Sequence, residues 1–170
     1  MNLVQVLKRC EVFVGLDDSD LEKIAGLSSW VSNTYRAGEF IFYENAPAKD
    51  FYILDKGEVS LVVVLPKEGA KELAQSRVDT ITKGDVFGWS SLVAPHYLTM
   101  SAICVKPCSV VAVNGAELSQ LFDTNCSLGY EVMKGLVRVI GARLRDLRSR
   151  LVGKEKLPPQ QEIHAEQLPF

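Results

Sequence analysis

Histidine is nearly missing: His96 and His164 are the two in 170 residues. That leaves little imidazole for nucleophilic or metal-dependent catalysis, where it serves as base or ligand. No G-x-S-x-G or H-E-x-x-H pattern occurs either, so the chain is not expected to be an enzyme. Cysteine is sparse as well. Cys10, Cys104, Cys108 and Cys126 form no disulfide framework, and a chain of this size does not need one. Cys104-Val-Lys-Pro-Cys108 lacks the second pair that a zinc site of this kind requires. These residues read as structural thiols, with a redox link open if they end adjoining strands. No cofactor and no metal is expected.

Long apolar runs are also missing. The longest, Leu61 to Leu65, is the size of a strand and far short of a spanning helix. The opening MNLVQVLKRCEVF lacks the basic start and apolar stretch of a secretory signal. Neither sign of charge dominates: 19 basic residues face 21 acidic ones, for a net charge of −2. The molecule as a whole therefore offers no electrostatic attraction to nucleic acid. These absences predict a cytoplasmic protein with reduced thiols and no membrane contact.

What is present is ordinary globular chemistry, 47% hydrophobic and 24% charged. A first helix is signalled by LDDSDLEKIAGL, with Asp17 as cap, Leu16 stapled to Leu21, and an end near Gly26. From Trp30 to Val113 the texture turns to short β-branched and aromatic runs: EFIFY, FYIL, EVSLVVVL, RVDTIT, SAICV and SVVAV. Turn chemistry bounds each of them, including Gly38, Asn45, Gly57 and Gly84. With no helix-length segment between them for parallel crossovers, about eight antiparallel strands are expected. The stretch PKEGAKELAQS, residues 66–76, reads as one long polar loop.

Helix returns at NGAEL, which resembles a capping box with Asn114 as cap and Glu117 reaching back. After a break at 123–125, the segment 127–152 carries Met133, Val137, Ile140, Leu144, Leu147 and Leu151 at spacings of 4 and 3, a heptad seam. A second stripe, Val132, Leu136 and Val139, lies beside it. A helix about 39 Å long with two apolar faces needs two partners, which predicts a homodimer with parallel helices. Arg143 and Arg150 fall at g and Arg148 at e, so like charges are expected to repel across that seam. The expected organisation is one domain over 1–152 and a disordered tail over 153–170.

The ordered series FVGLDDSDLEKIA, YRAGEFIFYENAPAKDFYILDKGEVSL, ITKGDVFGWSSLV, PCSVVAVNGAELSQLF and RVIGARL resembles the cyclic-nucleotide-binding domain family. The similarity is to the sensor half of catabolite-activator-type bacterial regulators. It implies a mainly β jelly-roll (double-stranded β-helix) β-roll with flanking helices and a long C-terminal dimerisation helix. It also implies that GDVFGWSSL is the phosphate-binding cassette, where amides at a helix start cradle a cyclic phosphate.

The sequence departs from that family's pattern at two points. Family members that bind nucleotide typically read Phe-Gly-Glu here and place an arginine shortly afterwards. This chain reads Phe87-Gly88-Trp89-Ser90-Ser91, and no Arg or Lys lies between Gly84 and Val105. Each lost charge-assisted hydrogen bond removes about 1.5–3 kcal/mol, so cyclic AMP and cyclic GMP are expected to bind weakly or not at all. The candidate ligand residues are Phe87, Gly88, Trp89, Ser90, Ser91, His96, Tyr97, Leu98 and Thr99. Trp89 either stacks on a ligand or fills the pocket mouth, packed on Tyr97 and Phe87. Three functions stay open: a sensor of a small molecule, an interaction protein with a collapsed pocket, and a haem or metal sensor using His96 or a cysteine. No helix-turn-helix follows the long helix, so autonomous DNA binding is not expected.

Overall fold

The computed structural model describes residues 2–66 and 73–154. Eight strands form two four-stranded antiparallel sheets. They are β1 (Val31–Tyr35), β2 (Phe40–Phe42), β3 (Asp50–Lys56), β4 (Val59–Pro66), β5 (Leu73–Ile81), β6 (Val86–Phe87), β7 (Ser101–Cys104) and β8 (Cys108–Asn114). One sheet runs β1-β8-β3-β6 and the other β2-β7-β4-β5. Inside the roll Leu54, Val59, Leu61, Ile81, Phe87 and Val110 pack together, while the alternate residues Phe51, Ile53, Val86, Val111 and Val113 of the first sheet face the helices. Gly38, Asn45 and Gly57 hold the positive φ angles (85°, 64° and 96°) that their turns demand.

Helices α1 (Leu3–Lys8) and α2 (Asp18–Ala25) precede the roll, and α3 (Gly115–Thr124) and α4 (Cys126–Lys154) follow it. The Asp17 carboxylate accepts from the Asp20 amide at 2.8 Å, capping α2 as expected. α1 was not expected, because six residues show no helical period; it is held by Val6 and Leu7 entering the core. β1 also escaped the sequence pattern. Four of its five residues are exposed on an edge strand, so no alternation marks it.

Two further expectations are corrected. The polar segment 66–76 is not all loop: β4 and β5 pair as far as Pro66 opposite Leu73, and residues 67–72 lie outside the described part. Backbone pairing satisfies itself there whatever the side chains. Glu117 does not reach back to close a capping box. Asn114 caps α3 alone, accepting from the Ala116 and Glu117 amides at 3.0 and 3.2 Å. The Glu117 carboxylate instead accepts from the Ser28 amide and hydroxyl at 2.9 and 2.8 Å, from the Ser29 amide at 3.0 Å, and from the Ser29 hydroxyl. It ties α3 to the chain just after α2.

α4 lies across the Glu11–Phe13 turn between α1 and α2 and against α3. Leu128 is buried with the second stripe, Val132, Leu136 and Val139, which packs chiefly on the segment Glu11–Phe13 and on α3. Gly135 fits tightly: a Cβ there would overlap the Val12 carbonyl oxygen, so glycine is the residue that lets α4 seat on Glu11–Phe13. The helix continues to Lys154, so the first two residues of the tail expected over 153–170 are helical; the rest, 155–170, lies outside the described residues.

Gly135→Ala should therefore destabilise the fold by about 1–3 kcal/mol through overpacking, read as a lower denaturant midpoint. Acid should act through Glu117. Hydrogen bonds from Ser29 and Ser28 hold its carboxyl down at about 2 from an ordinary 4.5. Its stabilisation is thus complete above about 4.5 and is lost as pH falls through about 2. Glu117→Gln should flatten that part of the stability profile in urea titrations between those limits.

Candidate functional site

The cassette has the expected local form. β6 ends at Phe87, Gly88 turns left-handed with φ 71°, and Trp89–Ser91 makes one 3-10 turn. Glycine is required at 88 twice over, by that φ and because a Cβ would lie 2.6 Å from the Tyr52 ring. Beneath it, Phe42, Tyr52 and Phe87 pack ring on ring, with centroids 5.1 to 5.9 Å apart. Burial pushes the Tyr52 phenol well above its ordinary range, so it stays neutral.

This packing leaves the cassette nearly full. The void it encloses is about 30 Å³, bordered by Gly88, Trp89, Ser90, Leu98 and Thr99 with Phe42, Leu61 and Met100. That is room for a water or two. Of the other candidates, Phe87 belongs to the core. Ser91 and His96 line a separate open depression at the start of α3, together with Lys49 and Asn114. Tyr97 is 55% exposed, its backbone bridged to Pro47, and borders neither space. His96 has a positive φ of 60° on the surface, and no group of three His, Cys, Asp or Glu side chains gathers among the described residues.

Trp89 faces a second and larger space. Between β4–β5 and α4 lies a cleft of about 180 Å³, walled by Leu61, Val78, Trp89, Met100, Ile140, Leu144 and Leu147, with Asp79, Arg143, Asp146 and Arg150 at its margins. Arg143 is the residue that joins α4 to the cassette. Its guanidinium stacks over the Trp89 ring at 4.8 Å, and Nη2 donates to the Val86 carbonyl at 2.8 Å. Nε faces the Asp79 carboxylate at 3.4 Å, and Nη2 lies 3.7 Å from Glu11. Arg150 donates to the Val78 carbonyl at 3.1 Å.

The expected repulsion between helices is corrected accordingly. Arg143 turns inward and binds the roll, and Arg150 reaches the Val78 carbonyl while staying exposed like Arg148. The sequence carried a signal for this that the g-position assignment overrode: 136, 143 and 150 are seven apart, so both arginines extend the stripe of buried Leu136.

Cys104 and Cys108 end β7 and begin β8. Cys108 Sγ donates to the Lys106 and Glu58 carbonyls at 3.0 and 3.3 Å, and burial pushes the Cys104 thiol up to about 12. Cys104 is therefore a thiol rather than a thiolate at neutral pH.

The model of the cyclic nucleotide-binding domain matches residues 32–125, more than half of the chain. The protein belongs to this family. A Geobacter metallireducens protein assigned as a cyclic nucleotide-binding protein is 31% identical, with a TM-score of 0.71 over 85% of this chain and 99% of that one. A cyclic nucleotide-binding domain from Methylobacillus flagellatus shares the fold at 16% identity and TM-score 0.75, over 93% and 85% of the two chains. So does the regulatory subunit of a cAMP-independent protein kinase A from Trypanosoma brucei, in a mutant form bound to cAMP, at 18% identity and TM-score 0.68 over 88% and 50%. No curated protein matches the sequence significantly. As in the family at large, the domain is of a regulatory kind.

The filled cassette makes a direct prediction. Calorimetry at about 50 μM protein, suited to micromolar constants, should detect no heat of binding with cyclic AMP or cyclic GMP. A micromolar constant for either would mean that Trp89 swings out of the cassette. Arg143→Gln should shift the emission of Trp89 by removing the stacked cation, while leaving the far-ultraviolet circular dichroism of the β-roll in place.

Proposed function

We propose that this domain is a sensor module in which a small molecule, seated between the β-roll and α4, sets the position of α4, and α4 transmits that position to a second copy of the chain in the cytoplasm. The single observation that carries this is the Arg143–Trp89 stack, which connects the cassette turn directly to the helix. Any ligand that moves Trp89 or displaces the guanidinium has differential affinity for two helix positions, the physical requirement for a switch.

The second face of α4 supports the pairing. Tyr130, Val137 and Leu144 are seven residues apart, and they are 66%, 68% and 65% exposed. Met133 and Ile140 are half-buried against the chain's own core, and Leu147 is half-buried at the cleft. The side chain of Leu151 lies outside the described residues. The seam expected from the sequence is thus narrowed to a line through Val137 and Leu144, which a symmetry-related helix would cover. Exposed apolar residues repeating at seven are costly to leave in water along one ridge.

Val137→Asp with Leu144→Asp should place carboxylates face to face across the seam and give a monomer that keeps its β-roll. Light scattering at matched salt and protein concentration reads the result; an unchanged dimer mass, or a wild type that is already monomeric, would remove α4 as the pairing element.

A further inference from the structure

We propose that the cleft between β4–β5 and α4 takes a compact, uncharged, largely apolar molecule about one aromatic ring in size. This deepens the sensor reading and rests on it. Three observations lead there. The first is size: the cleft holds about 180 Å³, while an aliphatic-lined cavity of about 150 Å³ is enough for benzene. A nucleotide, with base, sugar and phosphate, exceeds it. The second is the lining. Leu61, Met100, Ile140, Leu144 and Leu147 present aliphatic surface, and the Trp89 indole supplies one aromatic face.

The third observation is how the charge at the margin is used. Arg143 is engaged by Asp79, by the Val86 carbonyl and by the Trp89 ring, and Arg150 by the Val78 carbonyl. Arg143 Nη1 is buried without a hydrogen-bond partner, but an anionic ligand that took it would compete with Asp79 for the guanidinium and leave that carboxylate half-buried without its cation. A cation would meet Arg143 itself. An uncharged ring disturbs none of these contacts and gains by leaving water. The small void behind Trp89 adds little depth, so the ligand sits on the helix side of the indole.

The test uses the whole chain with toluene, indole, benzoate and cyclic AMP as probes, followed by saturation-transfer NMR and competition. Toluene and indole are expected to bind with constants of about 0.1–1 mM, in keeping with so few atoms, and benzoate at least about tenfold more weakly, as the cost of an unpaired buried charge implies. Val78→Phe and, separately, Leu147→Phe fill the cleft from its two walls and should each weaken toluene binding at least about tenfold, the scale of one lost apolar pocket. Circular dichroism confirms that each variant is folded. Benzoate or cyclic AMP binding as tightly as toluene overturns the ligand class, and unchanged toluene binding in both folded variants overturns the location. Toluene binding that appears only in a monomeric Val137→Asp protein assigns the cleft to a side chain of the second copy and also overturns the proposal. Dimer mass by light scattering is measured on the same samples. Absent probe binding with an intact dimer therefore rejects the ligand class, whereas a monomeric wild type rejects the pairing itself.

Discussion

A guanidinium taken out of water must find its partners in the protein, and the position of Arg143 is set by that demand. Its planar face lies on the Trp89 indole, one edge meets the Val86 carbonyl, and Asp79 and Glu11 balance its charge. These partners come from four separate places: the segment before α2, the fifth strand, the sixth strand and the cassette turn. A lysine could offer the charge but neither the flat face nor the fork of donors.

The same contact explains how α4 manages two apolar faces. An α-helix drifts by about 20° per heptad against a strict seven-residue repeat. The stripe that begins at Val132 and Leu136 against the Glu11–Phe13 turn is therefore carried round to the roll by Arg143 and Arg150. That leaves Tyr130 and Val137 free on the outer side, with Leu144 exposed at the rim of the cleft. Gly135 permits the close approach at the first contact, and the Glu117 carboxylate fixes the preceding helix against Ser28 and Ser29. The helix is held at its start by packing and at its middle by charge.

Most of the roll was legible in the sequence because its central strands, buried on both faces, stand out as short β-branched and aromatic runs between turn residues. SVVAV and FYIL became β8 and β3, which pair with each other, and the ordered motifs identified the family. β1 was invisible for the converse reason: on an edge, with little buried, Val31–Tyr35 has no apolar rhythm to show. Within the site, Gly88, Trp89, Ser90, Leu98 and Thr99 do gather around one void. His96 and Tyr97 do not join them, since proximity in the chain says nothing about which side of a loop faces inward. Arg143 was misplaced because a heptad assignment asks which residues could meet another helix and ignores a concave roll beside it. Glu117 was misjudged similarly: a local capping partner looked sufficient until two serines nearly ninety residues away in sequence competed for the carboxylate.

The strand pairing has a consequence for how the chain is made. Val31 pairs with Ala112, and Ala112 pairs in turn with Tyr52, so the first sheet has its central member near the end of the roll. At synthesis rates of about 5–20 residues per second, β1 waits about 4–16 s after leaving the ribosome for the strand that will hold it. During that interval β3, with Phe51, Ile53 and Leu54 destined for full burial, has no neighbour on that side. Nascent chains of this protein should accordingly lean on holding chaperones until the eighth strand arrives. The all-polar middle of β1, Ser32-Asn33-Thr34, gives that early strand little with which to pair wrongly in the meantime.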